Sequence, residues 1–300
     1  MVSYFKPSKY VRTKNISETS DLLVKHGDRA LIVGGGTLIH SLAARGVLAQ
    51  VDVLVDIQDL GLDYVQQDDK GLRIGAMTRF SELEQVPEIM HNPTFGALRD
   101  ALEYPPNQIK SIATVGGSIA SSFVLFDIPI ALLSLGATIH MNRGDLGREI
   151  NLENLFQDYF VNTLQRGEFI TELLLPSMPK ETTSSFVKLE TNANDLAIIN
   201  IATSLTFDSD TCKDARIFVG GGVGSVPIRT RTVEEGLRGK ALTQAVLDEV
   251  SQHVGSDVKP IDDHRASSRY RMHVTNVLMR RALSRALTRT EQIRAIGGII

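Results

Sequence analysis

The 300-residue chain contains no tryptophan, and aromatic residues of all kinds make up only 6% of it. Aromatic side chains build the platforms on which nucleobases and sugars stack, so their scarcity argues against such a platform. The formal net charge is −3, and the chain lacks the basic excess typical of proteins that bind nucleic acid. We therefore expect no nucleic-acid partner.

Cysteine is nearly absent as well. Cys212 is the only one, which excludes an intrachain disulfide and any iron–sulfur cluster held by several cysteines of this chain. Because Asp210 and Lys213 flank it, we expect Cys212 to be an exposed turn residue. The seven histidines are scattered without the spacing of a zinc site, so we predict no bound metal.

Long hydrophobic runs are missing too. No apolar stretch approaches the roughly 18 residues that a membrane span needs, and the N-terminal sequence has no signal-peptide apolar core. We therefore expect a cytoplasmic protein without a membrane span. Apolar residues make up 42% and charged residues 22%, as in globular proteins, and the length suggests two or three domains.

What the sequence does contain is two glycine-rich segments, each after an apolar stretch. The first comprises Val33, Gly34, Gly35, Gly36, Thr37 and Leu38, and the second comprises Thr114, Val115, Gly116, Gly117 and Ser118. Adjacent glycines let backbone N–H groups approach a phosphate that a Cβ atom would keep away. Two such segments indicate a diphosphate held from two sides, as in a dinucleotide such as FAD.

Neither segment fits the common nucleotide-binding fingerprints. Counted from Gly34, the G-x-G-x-x-G pattern needs a glycine where Ile39 stands, and counted from Gly220 it needs one where Ser225 stands. The P-loop pattern is missing as well. A single glycine turn is most often only a tight loop. A bound dinucleotide would therefore require another architecture.

Hydrophobic patterns divide the chain into three parts. A strand that runs into the first glycine segment, a helix over 37–44 and a strand over 51–56 predict a small β-α-β unit. The next part alternates strands with helices, one of them over 127–135 with Asp127 as its expected N-cap. The sequence PSMPKETT at 176–183 is the expected linker. We thus predict an α+β fold with domains at 1–56, 57–176 and 177–300.

Four motifs, taken in order, resemble those of the FAD-binding medium subunits of molybdenum hydroxylases. That family includes the carbon monoxide dehydrogenase medium subunit and the flavin domain of xanthine dehydrogenases. The first glycine segment resembles the family's A-G-G-x-[ST]-L, and residues 113–120 resemble A-T-I-G-G-N-L-A. Residues 167–176 resemble its G-E-[IL]-I strand that ends in proline, and residues 263–271 resemble D-x-R-[AG]-S-A-x-Y-R. The likeness covers essentially residues 1–288.

The resemblance implies a PCMH-type FAD-binding domain of two pieces, one small α/β and one antiparallel α+β, with FAD between them. It also implies a C-terminal domain with a three-stranded antiparallel sheet and a helical bundle. Both glycine segments would bind the diphosphate, and Asp127 would contact the ribityl chain or its surroundings. Lys188 and Asp195 would lie near the flavin ring, with Leu196 against it.

Two stretches depart from the family pattern, and one motif is expected to be structural. The sequences FVLF at 123–126 and TNAN at 191–194 replace the residues that are usual in the family. The contacts to FAD are therefore expected to differ from the family's at these two stretches. Asp263, Arg265 and Arg271 are expected to fix a loop against a helix rather than to act on a substrate.

The function that the resemblance implies is electron transfer, with no catalytic residue assigned to this chain. A molybdenum-cofactor large subunit would oxidise the substrate, and a 2Fe-2S small subunit would relay single electrons to FAD. FAD would pass them to an acceptor such as NAD, a quinone or oxygen, within a dimer of heterotrimers. Two alternatives stay open: a stand-alone FAD-dependent oxidase or dehydrogenase on the same scaffold, and a non-catalytic scaffold protein that has lost FAD.

Overall fold

The computed structural model describes residues 5–192 and 194–297. The strands are β1 (Lys9–Arg12), β2 (Ala30–Val33), β3 (Val53–Asp56), β4 (Val65–Gln67), β5 (Gly71–Gly75), β6 (Thr138–Arg143), β7 (Leu146–Asn151), β8 (Phe156–Asp158), β9 (Val161–Asn162), β10 (Phe169–Pro176), β11 (Thr182–Leu189), β12 (Ile199–Asp208), β13 (Thr211–Gly221) and β14 (Ile228–Arg229). The helices are α1 (Ile16–His26), α2 (Thr37–Ala44), α3 (Phe80–Leu83), α4 (Pro87–His91), α5 (Gly96–Leu102), α6 (Asn107–Lys110), α7 (Val115–Ala120), α8 (Asp127–Ser134), α9 (Arg231–Leu237), α10 (Gln244–Ser251) and α11 (Ser268–Gly297).

The N-terminal piece is a parallel sheet in the order β1-β3-β2. Helix α2 connects β2 to β3, so the predicted β-α-β unit is present, and β1 adds a strand beside β3. The carboxyl ends of parallel strands share one edge of the sheet, where ligands of open α/β sheets commonly bind. The first glycine segment leaves β2 at that edge and leads into α2.

The second piece is an antiparallel sheet in the order β4-β5-β10-β6-β7, with helices packed against it. Every residue of α8 is buried. The reason is that α8 lies between two sheets: Ile130 belongs to one hydrophobic cluster with Ile74 of this sheet and with Phe186 and Phe218 of the C-terminal sheet. A helix that is apolar on all sides is typical of such a central position.

The C-terminal piece is an antiparallel sheet in the order β11-β12-β13-β14, covered by α9, α10 and α11. The predicted three strands are present, and the two-residue β14 adds a fourth that pairs with Phe218 and Val219. The α+β class is therefore confirmed. Although α11 is the longest helix of the described residues, neither it nor any other helix among them is apolar enough to cross a bilayer.

Cys212 contradicts the prediction of an exposed turn residue. It lies near the start of β13, is fully buried, and belongs to the C-terminal core with Leu205 and Leu237. Its Sγ lies 3.5 Å from the carbonyl oxygen of Asp214. Burial raises the pKa of the Cys212 thiol to about 12.

We expect Cys212 to resist thiol reagents in the native protein. Only the thiolate reacts, and a pKa raised from 9.0 to about 12 lowers the thiolate fraction at neutral pH about a thousandfold. Labelling by a chromogenic disulfide reagent should thus be slow before unfolding and fast in denaturant. Equal labelling rates in the two states would contradict the buried position.

Candidate functional site

A cavity of about 930 Å³ lies where the three pieces meet. Its volume is near the upper end of the range for small-molecule and cofactor sites, roughly 300–1,000 Å³. Both glycine segments line it, together with Asp127 of α8, Lys188 of β11 and the loop that contains Asp195 and Leu196. Of the site residues predicted from the sequence, all but Val33 and Val115 are among its lining residues.

The first glycine segment presents backbone N–H groups to the cavity. Gly36 is the N-cap of α2 and has a left-handed backbone, with φ of 71°. Within residues 5–192 and 194–297, the N–H groups of Thr37, Leu38 and Ile39 have no acceptor. This is the normal state of a helix's first turn, and such an end attracts anions. A Cβ atom built on Gly36 would meet only Val33, at 4.0 Å, so the backbone here is open to a ligand.

In the second glycine segment, most backbone N–H groups already donate hydrogen bonds to acceptors within the protein. The N–H of Val115 donates to the carbonyl of Thr78 at 3.0 Å, and that of Gly116 donates to the carbonyl of Ala76 at 2.8 Å. Gly117 is exposed at the cavity. The two segments therefore differ in what they offer a ligand. The first presents backbone hydrogen-bond donors, whereas the second contributes mainly to the shape of the cavity wall.

At two positions, the structure explains the need for glycine by close packing and not by access to a phosphate. A Cβ atom on Gly35 would overlap the carbonyl of Ile112, and one on Gly116 would lie 2.6 Å from the Cβ atom of Ala76. These glycines let neighbouring chain segments approach each other closely. Gly36 is the clearest position at which the missing side chain leaves room for a ligand.

Asp127 is the first residue of α8 rather than its N-cap, a position that Phe126 occupies. Its carboxylate accepts from Lys188 Nζ at 2.9 Å and from Asn200 Nδ2 at 2.9 Å. Burial raises the pKa of Asp127, and the neighbouring ammonium of Lys188 opposes that rise. A carboxylate has about four acceptor sites, so Asp127 keeps the capacity to accept from a ligand hydroxyl.

The loop carrying Asp195 and Leu196 is held in place by the C-terminal motif. Arg265 donates to the carbonyl of Leu196 and pairs with Asp195 at 3.2 Å. Burial acts to raise the pKa of Asp195, but the Leu196 N–H and the Arg265 guanidinium outweigh it, and the pKa is lowered. Arg271 is buried and pairs with Asp263 at 2.6 Å. These contacts are those of the structural role expected for the motif.

An aromatic wall was not predicted. It consists of Tyr104, Phe123, Phe126 and Phe160, all of which line the cavity. The rings of Phe123 and Phe160 are stacked, with centroids 4.9 Å apart, and Phe126 meets Phe123 edge-on at 5.0 Å. Such rings present flat apolar surfaces to a ligand. The unusual FVLF stretch was the only sequence signal for this wall, because Tyr104 and Phe160 lie in no recognisable motif.

The residues present fit a dinucleotide with an acidic diphosphate. The N–H groups at the start of α2, which have no acceptor among the described residues, suit the diphosphate. The aromatic and apolar walls suit flat rings, and Asp127 and Asp195 suit hydroxyl groups. No comparable set of residues suggests a metal site. In the part of the chain that the structure describes, no three His, Cys, Asp or Glu side chains lie close enough together to bind a metal ion.

Comparison with known proteins agrees with this geometry. Residues 5–178 match the family described as the FAD binding domain in molybdopterin dehydrogenase, and residues 184–286 match the CO dehydrogenase flavoprotein C-terminal domain. The chain is 28% identical to the glyceraldehyde dehydrogenase medium chain of Sulfolobus acidocaldarius, over 91% of this chain and 96% of that one. It is 30% identical to subunit alpha of the 6-hydroxypseudooxynicotine dehydrogenase complex of Paenarthrobacter nicotinovorans, over 93% and 94%.

Solved structures show the same likeness. A chain of reconstituted CO dehydrogenase from Oligotropha carboxidovorans superposes with a TM-score of 0.87 and 25% identity, over 94% of this chain and 97% of that one. Fold, site geometry and family match therefore lead to one conclusion: the chain belongs to the FAD-binding medium subunits of molybdenum hydroxylases, an oxidoreductase family, and its cofactor is FAD.

Proposed function

We propose that this chain receives electrons from an iron–sulfur subunit and passes them, through FAD, to an external acceptor. The observation that carries the proposal is that one cavity is lined both by the start of α2, whose N–H groups have no acceptor among the described residues, and by the Asp127–Lys188 pair. FAD supplies the redox chemistry because it takes up electrons singly and releases them in pairs. The protein binds, orients and shields it.

We assign the predicted site residues these roles. The first glycine segment, from Val33 to Leu38, would hold the diphosphate through its backbone, and the second, from Thr114 to Ser118, would shape the opposite side. Asp127 would accept from ribityl hydroxyls. Lys188, Asp195 and Leu196 would face the flavin ring. The corresponding domains would be 1–56 and 57–176 for FAD and 177–300 for the C-terminal part.

The partners in this proposal are a molybdenum-cofactor large subunit and a 2Fe-2S small subunit, arranged as a cytoplasmic dimer of heterotrimers. Two observations support separate subunits. The one cysteine of the chain is buried, so the clusters that feed FAD must be held by another chain. Relatives that match along nearly their whole length carry names of subunits and chains of larger enzymes. NAD, a quinone or oxygen would serve as the acceptor.

A second candidate is a stand-alone FAD-dependent oxidase or dehydrogenase. The aromatic wall favours it, since Phe123, Phe126 and Phe160 surround the cavity with apolar surface of the kind that small-molecule sites use. In that case the substrate would meet FAD in this chain, and no molybdenum would be needed.

Purification from the native source separates the two candidates. We expect the chain to co-elute with a large and a small partner subunit, with molybdenum and iron in the same fraction and substrate-dependent bleaching of the flavin absorbance. The recombinant chain alone, loaded with FAD, is the control and should not be reduced by the substrate. Elution alone, together with flavin reduction by a small molecule in the absence of molybdenum, would refute the subunit proposal.

A further inference from the structure

The ammonium group of Lys188 is enclosed on three sides where it borders the cavity. Its Nζ atom lies 2.9 Å from Asp127 Oδ2, 3.0 Å from Glu190 Oε2 and 4.9 Å from the ring centre of Tyr104. The Lys188 side chain is only 3% exposed. The cation is thus fixed in position and is not a free surface charge.

The cluster formed by Lys188, Asp127 and Glu190 carries more negative than positive charge. Two carboxylates face one ammonium, and the second oxygen of Asp127 is engaged by Nδ2 of Asn200 at 2.9 Å. Asp127 and Lys188 are among the residues that line the cavity, whereas Glu190 is not among them and contacts Lys188. Glu190 therefore makes the three-residue cluster negative overall, because Asp127 alone already compensates the ammonium of Lys188.

We propose that Glu190 is a positioning residue that adds a second negative charge to the Asp127–Lys188 pair and thereby keeps the reduction potential of bound FAD low. This inference rests on the proposed function, in which the cavity would hold FAD and electrons would pass through it from the iron–sulfur subunit to the acceptor. Reduction would make the flavin more negative, and an excess negative charge nearby disfavours that state in a site of low dielectric. Because Asp127 already pairs with Lys188, the carboxylate of Glu190 supplies this excess negative charge, so the electrons would leave readily.

The test compares the full chain loaded with FAD against two variants in a reductive titration with a reference dye. Glu190→Gln keeps the shape of the side chain and removes its charge. We expect it to raise the preference for reduced over oxidised FAD about tenfold, which corresponds to about 30 mV for a two-electron couple.

Glu153→Gln is the matched control. Arg229, which stands away from the cavity, is likewise paired with two carboxylates, Glu234 at 2.9 Å and Glu153 at 3.2 Å. Glu153 is 29% exposed, close to the 21% of Glu190. This variant changes the net charge by the same amount, and its FAD potential should equal that of the wild type.

The inference is overturned if Glu190→Gln retains FAD with the same potential as Glu153→Gln. If Glu190→Gln fails to fold, Glu190→Asp withdraws the carboxylate by one methylene and should shift the preference in the same direction by a few fold. An unchanged potential in that variant also overturns the inference. Failure of the wild-type chain to bind FAD would instead refute the proposed function, so the two failures are distinct.

Discussion

Replacing Gly36 by aspartate should weaken FAD binding about a thousandfold. The new carboxylate would stand at the start of α2, where the free N–H groups are proposed to hold the diphosphate. Two charges about 4 Å apart repel by about 4 kcal/mol at the effective dielectric near a protein surface, which corresponds to about three powers of ten in affinity. Flavin fluorescence quenching during titration of the apoprotein measures the effect.

Two variants isolate the charge from the strain. Gly36→Asn introduces a side chain of nearly the same size and the same left-handed backbone strain, which asparagine tolerates. It should cost far less affinity than aspartate. Gly239 has φ of 72°, close to the 71° of Gly36, and a Cβ atom there meets nothing within 4 Å. Gly239→Asp should leave FAD binding unchanged. Equal losses for Gly36→Asp and Gly36→Asn would contradict a phosphate at this position.

Replacing Asp100 by asparagine should destabilise the protein by about 3–5 kcal/mol. Asp100 of α5 is fully buried and binds both terminal nitrogens of Arg289 of α11, at 2.6 and 2.9 Å, with Arg285 at 3.2 Å. It also accepts from the N–H of Phe186 at 3.1 Å. Loss of this single negative charge would leave the guanidinium groups without compensation. The free energy of unfolding in denaturant measures the change.

An exposed ion pair provides the control for this prediction. Asp214 lies 3.0 Å from Arg238, with both side chains about half exposed, and such pairs contribute about 0–1 kcal/mol. Asp214→Asn should therefore have little effect on the free energy of unfolding.

Asp100→Asn should also weaken the binding of FAD, because Phe186 lies two residues before Lys188 on β11. A loss of stability no larger than that of Asp214→Asn would show that Asp100 does not hold α5, β11 and α11 together.

The local parts of the fold could be predicted because short-range patterns determine them. The strand that ends at Val33, the glycine turn and the helix from Thr37 follow from apolar runs and backbone freedom within one stretch of chain. Strand β14 has two residues and is too short to show any periodicity. Cys212 was misplaced because charged neighbours do not indicate exposure in a strand, where successive side chains point to opposite faces.

The site itself could be predicted only in part. The glycine segments and Asp127 are visible in the sequence, but their partners depend on tertiary packing. Lys188 reaches Asp127 across 61 residues of chain, and Asn200 reaches it across 73. No pattern near Glu190 indicates that it would face the same ammonium. The roles of Gly35 and Gly116 likewise depended on which backbone atoms lie opposite them.

Calorimetric titration of the apoprotein with FAD and with riboflavin tests the central claim most directly. If the N–H groups at the start of α2 bind the diphosphate, the chain should bind one equivalent of FAD. It should bind riboflavin, which has no phosphate, at least about a hundredfold more weakly. The reason is that hydrogen bonds to charged groups contribute about 1.5–3 kcal/mol each. Riboflavin bound as tightly as FAD, or no binding of FAD, would contradict the account.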